Sequence, residues 1–107
     1  MSNNVKIFNV LTSLGLKTSN KGFKYLQRAI ELNLEDPGAA EFITKNLYPQ
    51  LAKEYHTNWS AVERAIRHSI LRMKYSDLQE TIFPANLERY TNKEFITYVT
   101  KYISLCA

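Results

Sequence analysis

The sequence has very few of the residues that cross-link proteins or anchor them in membranes. Among its 107 residues the only cysteine is Cys106, next to the C-terminus. One cysteine excludes a disulfide framework and a cysteine-rich metal site, and it fits a reducing compartment. No apolar run approaches the roughly 20 residues that span a bilayer, and the apolar stretch near the N-terminus lacks a small-residue cleavage site. We therefore expect a cytoplasmic protein with no membrane partner.

Glycine and proline are equally scarce, with three of each, and no segment alternates apolar and polar residues with the period of a strand. Apolar residues make up 45% of the chain and aromatic residues 12%, so disorder is not expected. A chain of this length is the size of one domain with its own core. The sequence thus predicts an all-α fold, a compact bundle of about six helices, with residues 1–107 forming a single domain.

Helical spacing of apolar residues places the individual elements. The first helix is predicted over 4–14, with Val5, Phe8 and Leu11 as an inward stripe that Ile7 and Leu14 widen, and with Gly15 in the left-handed conformation just after it. Later helices are predicted at about 19–34, 39–46, 48–55, 59–74, 76–83 and from residue 91 onward. Ser76-x-x-Gln79 and Thr91-x-x-Glu94 have the spacing of capping boxes.

Catalytic motifs are missing as well. His56 and His68 stand twelve residues apart with no HExxH pattern or cysteine partner, and the chain has no glycine-rich phosphate loop or serine elbow. No aromatic ribonucleoprotein motif points to RNA. We expect a protein that is not an enzyme, with no cofactor and no metal site.

What the sequence does contain is an uneven charge distribution. Residues 1–34 and 60–75 carry an excess of basic side chains, whereas residues 35–59 carry an acidic excess, within a net charge of +4. Two basic segments around an acidic one indicate one side of the molecule that faces a polyanion.

A helix-turn-helix is predicted over about 48–75. Such a motif needs a small residue where its helices cross, a residue that tolerates positive φ four positions later, and an apolar anchor in the second helix. Ala52, His56 and Val62 occupy these positions. Histidine replaces the more usual glycine, but it is among the residues enriched at positive φ.

In this register the second helix points Ser60, Glu63, Arg64 and Arg67 toward a major groove, and we expect these four side chains to read bases. Arginine can hold guanine O6 and N7 in a bidentate manner, and glutamate can accept from cytosine N4. Side chains expected to contact DNA phosphates are Lys45, Thr57, Asn58 and His68.

Plainer interpretations of the same residues remain open. Glu63 and Arg67 have the i,i+4 spacing of a solvent-exposed ion pair. Ser60-x-x-Glu63 also has the spacing of a capping box, which would occupy Glu63 with the backbone. We expect Trp59 to be a packing residue rather than an intercalator.

Four blocks in order make the chain resemble a known family. The segment VERAIRHSI at 62–70 resembles the recognition helix of the C-terminal effector domain of the sporulation initiation response regulator, the stage 0 sporulation protein A family. The other blocks are KGFKYL with AI at 21–30, ITKNLYP with AK at 43–53, and TN with EFI at 91–96. The resemblance implies a six-helix domain that binds double-stranded DNA in promoters, with Glu63, Arg64, Arg67 and His68 facing the DNA.

The chain departs from this pattern in three places. Ala61 stands where the family commonly has a DNA-contacting arginine, and residues 71–90 differ from the segment that meets the RNA polymerase sigma factor in the family. No receiver domain precedes the module, from which we expect a stand-alone relative rather than an excised effector domain. Further expected partners are the sigma factor and a second copy of the chain on DNA.

Two functions are therefore compared. The first is a sequence-specific transcription regulator, bound to duplex DNA at the nucleoid. The second is a helical protein-interaction module or antagonist that keeps the fold without reading DNA, which Ala61 and the altered segment 71–90 favour. The retained Arg64 and Arg67 favour the regulator.

Overall fold

The computed structural model describes residues 3–85, 87 and 89–106, and every regular element within them is helical. Six α-helices follow one another as α1 (Asn3–Ser13), α2 (Lys21–Glu35), α3 (Tyr48–Glu54), α4 (Trp59–Leu71), α5 (Asp77–Ile82) and α6 (Asn92–Leu105). The predicted all-α bundle is confirmed. No helix in this described part of the chain is both long and apolar enough to cross a membrane.

Helix α2 occupies the centre of the bundle and packs against α1, α4 and α6. Its first turn approaches α4 so closely that a Cβ on Gly22 would lie 2.2 Å from both the Ala65 carbonyl oxygen and Ser69 Oγ. Only glycine lets the two backbones meet at this distance. The fully buried side chains of the common core include Leu26, Ile30, Leu51, Val62, Ile66, Phe95 and Val99.

The inward face of α1 was predicted too broadly. The helix buries Ile7 and Leu11, followed by Leu14, as expected, but Val5 and Phe8 are 44% and 42% exposed. Val5, Phe8 and Leu11 have helical spacing, as do Ile7, Leu11 and Leu14, so periodicity alone does not show which of the two sets is buried. The Phe8 ring only touches the bundle edge-on, against Phe23 at 5.5 Å between centroids. The turn after α1 follows the prediction, since Gly15 has φ +90°.

Residues 39–47 do not form the single short helix that was predicted. A 3₁₀ turn over Ala39–Phe42 is followed directly by a π turn over Ile43–Leu47. Phe42 interrupts the α-helical ladder at φ −112° and ψ 51°, and its side chain is 54% exposed. Pro49 then lies in the first turn of α3, where its missing N–H has no helical partner to lose.

One of the two predicted capping boxes forms in full. Thr91 Oγ1 accepts from the Glu94 amide at 3.0 Å, and Glu94 Oε1 accepts from the Thr91 amide at 3.0 Å. At α5 the Ser76 hydroxyl accepts from the Gln79 amide, but the Gln79 side chain donates to the Tyr90 hydroxyl at 2.9 Å. The second box is therefore half formed, because Gln79 ties α5 to the segment before α6.

Candidate nucleic-acid interface

Helices α3 and α4 form the predicted helix-turn-helix. His56 has φ +53°, as the motif requires at this position, and it is the one non-glycine residue with positive φ in the part of the chain that the structure describes. The Thr57 amide donates to the Ala52 carbonyl at 2.9 Å and closes the turn. Ala52 and Val62 are buried at 7% and 0% exposure, so the crossing residue and the anchor both face inward.

The N-terminus of α4 is capped by Asn58, not by Ser60. Asn58 Oδ1 accepts from the Ala61 amide at 2.8 Å and from Ser60 Oγ at 2.9 Å. The predicted alternative in which Ser60 and Glu63 form a capping box is therefore wrong. Asparagine is among the best N-cap residues because its short side chain reaches the free amides of the first turn.

The solvent-facing side of α4 carries the predicted DNA-facing residues on one face. Ser60, Arg64, Arg67 and His68 are exposed and Glu63 is half-buried. An ion pair of 2.8 Å joins Arg67 to Glu63, as the i,i+4 spacing indicated. Arg64 has no ion pair within the described residues, and its guanidinium lies one turn from the start of the helix. We call the side chains of Ser60, Glu63, Arg64, Arg67 and His68 the α4 face.

Lys45 is separate from this group. It is exposed on the π turn before α3, where it borders a cavity that it shares with Glu35, Asp36 and Gln50. Two carboxylates therefore lie on the cavity that Lys45 borders. Thr57 and Asn58, by contrast, lie directly at the N-terminus of α4, next to the α4 face.

Sequence reasoning missed the residue that holds the motif in place. Asn92 is 9% exposed at the start of α6, and its Nδ2 donates to the Tyr48 hydroxyl at 2.9 Å and to the Glu63 carbonyl oxygen at 3.1 Å. One side chain thus fastens both α3 and α4 to α6. Burial raises the pKa of Tyr48, and the hydrogen bond from Asn92 acts against that rise. Asn92 lies in one of the blocks that carry the family resemblance, but its spacing gave no hint of this role.

The comparison with known families agrees with this geometry. The family described as "Sporulation initiation factor Spo0A C terminal" matches residues 7–103, which is nearly the whole chain and includes all of α2 to α5. The match confirms the resemblance that the four sequence blocks indicated. It concerns the DNA-binding domain of a transcription factor, which is not an enzyme family. The chain belongs to the Spo0A C-terminal family of DNA-binding sporulation regulator domains.

Proposed function

We propose that the protein is a transcription regulator that binds a specific sequence in duplex DNA, with α4 in the major groove. The observation that carries this proposal is the α4 face, which presents two arginines, a serine and a histidine to solvent from the second helix of a helix-turn-helix. A recognition helix docks through these outward positions near its N-terminus. The continuous core shared by the helices supports one binding unit over the whole chain.

Arg64 is the strongest candidate for base reading. Its guanidinium is exposed and has no ion-pair partner in the described chain, so binding guanine costs it no existing contact. Arg67 already holds Glu63, but a guanidinium has five N–H donors and can bond a base while keeping that pair. Glu63 in turn retains acceptor capacity for cytosine N4, and Ser60 can serve as donor or acceptor.

Phosphate contacts are proposed around both ends of this face. Thr57 and Asn58 lie where the amides of the first turn of α4 attract an anion, and His68 lies farther along the helix. Lys45 would reach a phosphate from the π turn before α3. These contacts would fix the position of the domain and add affinity without sequence preference.

Selection from a random duplex pool tests the proposal. We expect enrichment of a short common sequence, and an affinity for it that falls steeply with salt as about 0.9 counterions are released per neutralised phosphate. The double variant Arg64→Ala, Arg67→Ala is the negative control, because both side chains are exposed and their removal should leave the fold intact. Equal recovery of all sequences at low salt by the unmodified protein would refute sequence-specific binding.

A protein-binding role is the second candidate, supported by the segment directly after α4. Leu71 and Tyr75 are 65% and 67% exposed and lie four residues apart, so both apolar side chains are available to a partner. On DNA this segment would meet the RNA polymerase sigma factor or a second copy of the domain. Leu71→Ser with Tyr75→Ser should then abolish activation while leaving the selected DNA sequence unchanged. If the protein selects no duplex sequence, but Leu71→Ser with Tyr75→Ser still abolishes the effect of the protein on transcription, the protein is an antagonist that does not bind DNA.

Residence at the nucleoid, and hence in the cytoplasm, follows from a chromosomal target. Fluorescent labelling in cells, compared with the Arg64→Ala and Arg67→Ala protein, tests whether DNA binding determines this location.

A further inference from the structure

A cavity beside the α4 face has the chemistry of an anion site. It measures about 280 Å³ and lies between the start of α2 and the second half of α4. Its lining consists of Asn20, Lys21, Gly22, Ala65, His68, Ser69 and Arg72. Three of these described lining residues are basic or can become so, and none is acidic. At about 30 Å³ for each water, the space admits several waters or one phosphate group.

The wall formed by α2 offers backbone donors. Asn20 is the N-cap residue, but its side chain makes no capping hydrogen bond. The first amides of a helix have no partner within that helix, and they carry the positive end of its dipole. Helix α2 is 15 residues long, and Lys21 and Gly22, whose amides belong to its first turn, line the cavity. An anion there would satisfy donors that the chain itself leaves uncapped.

The wall formed by α4 holds a second, independent sign of a ligand. Ser69 is 3% exposed, and its Oγ is buried with no hydrogen-bond partner within the described chain. A serine in a helix can bond the carbonyl four residues earlier, but this hydroxyl makes no such bond and lies against Gly22, which also lines the cavity. Leaving a buried hydroxyl unsatisfied is costly, and its proton is free to rotate toward an acceptor in the cavity.

We propose that this cavity binds a phosphate group of the DNA backbone, held by the α2 amides, Ser69 Oγ and the Arg72 side chain. The proposal rests on the proposed function, since His68 belongs both to the α4 face and to the cavity wall. A backbone phosphate at the edge of the major groove would therefore lie beside the bases that α4 reads. The site makes α2, and not only the helix-turn-helix, part of the DNA interface.

Two substitutions test the site without disturbing the helix crossing. Ser69→Ala removes a hydroxyl that bonds nothing in the described chain, so we expect an unchanged or slightly higher melting temperature but about ten-fold weaker duplex binding. Arg72→Gln should weaken binding to cognate and random duplexes alike. It should also reduce the slope of log affinity against log salt concentration by about 0.9. Lys101→Gln removes the same charge from α6, beside a different cavity at the C-terminal end of α2. It is the control and should change neither the affinity nor the salt slope.

Amide resonances separate the two possible sources of the anion. We expect the Lys21 and Gly22 amides to shift when duplex DNA is added to the wild-type protein, and much less in Ser69→Ala. Shifts with sodium phosphate but none with the duplex would overturn the proposal in favour of a free-anion site. The proposal would also be overturned if Ser69→Ala and Arg72→Gln both bound the duplex with the affinity and salt dependence of the wild-type protein. If the wild-type protein binds no duplex, the proposed function fails, and the phosphate titration then shows by itself whether the cavity takes an anion.

Discussion

At the scale of single residues, Arg64 and Arg67 lie one turn apart on α4 but differ in what already holds them. Arg67 is paired with Glu63 at 2.8 Å, whereas Arg64 has no ionic partner among the described residues. An unpaired guanidinium on an exposed helix face loses little on binding, because it gives up no protein contact. We therefore expect Arg64 to contribute more than Arg67 to sequence preference.

The first prediction follows from this ranking. Arg64→Ala should cost about 1–3 kcal/mol at the preferred site and relax discrimination at one base pair, because a bidentate contact to guanine is lost. Binding of cognate and singly altered duplexes measures both effects. Lys45→Ala serves as comparison, since loss of a phosphate contact should weaken all sequences alike. If Arg64→Ala lowers the affinity for cognate and for random DNA by the same factor, the residue contacts the backbone and not a base.

The second prediction concerns Ala61, half-buried in the first turn of α4. A methyl group can touch a thymine methyl but cannot hydrogen-bond a base edge, so the base pair opposite should be weakly specified or biased toward A·T. Ala61→Arg should create a guanine preference at that single position. Stability should change by no more than about 0.5 kcal/mol, as is usual for substitutions at the surface. Parallel site selection with both proteins tests this, and identical preferences at every position would show that residue 61 does not face the groove.

At the scale of helices, the crossing of α2 and α4 depends on the absence of a side chain at Gly22. A Cβ there would lie 2.2 Å from backbone oxygen of Ala65, which cannot move without displacing α4. The crossing also orients the α4 face, since Ala65 and Ser69, which meet Gly22 there, belong to the same helix.

The third prediction compares two glycines. Gly22→Ala should destabilise the fold by several kcal/mol and weaken DNA binding, because overpacking forces the two helices apart. Gly38→Ala is the matched control, since its Cβ would meet nothing closer than Asp36 Oδ1 at 3.5 Å. Thermal unfolding measures the difference. Similar melting temperatures for the two variants would show that the helices tolerate a wider crossing.

An ion pair between α2 and α3 leads to the fourth prediction. Arg28 donates from Nε to Glu54 Oε1 at 2.8 Å and from a terminal nitrogen to Oε2 at 3.2 Å, and these hydrogen bonds lower the pKa of Glu54 below its ordinary value of 4.5. Because the folded pKa is depressed, the pair stabilises the fold above about pH 4.5, and this contribution is lost as the pH falls through the folded value. Partial exposure limits it to about 0.5–1 kcal/mol.

Glu54→Gln should therefore lower the melting temperature at pH 7 and flatten its decline between pH 5 and pH 3. Glu41→Gln removes the same charge from an exposed position and is the control. If the melting temperatures of wild type and Glu54→Gln decline in parallel with pH, Arg28 does not lower the pKa of Glu54 relative to the unfolded chain.

At the scale of the whole molecule, α6 holds the bundle together although it lies outside the helix-turn-helix. It packs on α2, α4 and α5, and its Phe95 is fully buried with the Phe83 ring at 5.5 Å. The same helix carries Asn92, which bonds both α3 and α4. Stability and the orientation of the α4 face therefore depend on the same distant element.

The fifth prediction is global destabilisation by Phe95→Ala. Truncating a buried phenylalanine typically costs about 3–5 kcal/mol, which for a domain of this size lowers the melting temperature by 10 °C or more, at about 4–8 °C per kcal/mol. Phe42→Ala removes the same side chain from a position that is 54% exposed and should stay within about 0.5 kcal/mol of wild type. Thermal unfolding followed by circular dichroism compares them. A melting temperature near wild type for Phe95→Ala would place that side chain outside the core.

The sequence by itself determined the features that depend on neighbours along the chain. Helical periodicity predicted the all-α fold, the spacing of the helix-turn-helix predicted the positive φ of His56, and the Thr91-x-x-Glu94 spacing predicted the capping box. The four ordered blocks identified the family. Each of these rests on contacts within a few residues, or on a local conformation that few residue types adopt. Local interactions of this kind require particular residue types at fixed separations along the chain, so they can be predicted from the sequence.

Only the tertiary structure decided which of several equally spaced alternatives is used. Packing on α2 buries Ile7 rather than Phe8, and Asn58 rather than Ser60 caps α4. The Asn92 bridge joins residues 29 and 44 positions apart, and the cavity between α2 and α4 is created by a helix crossing. These features depend on which surfaces come into contact when the chain folds. The spacing of residues along the chain does not determine those contacts.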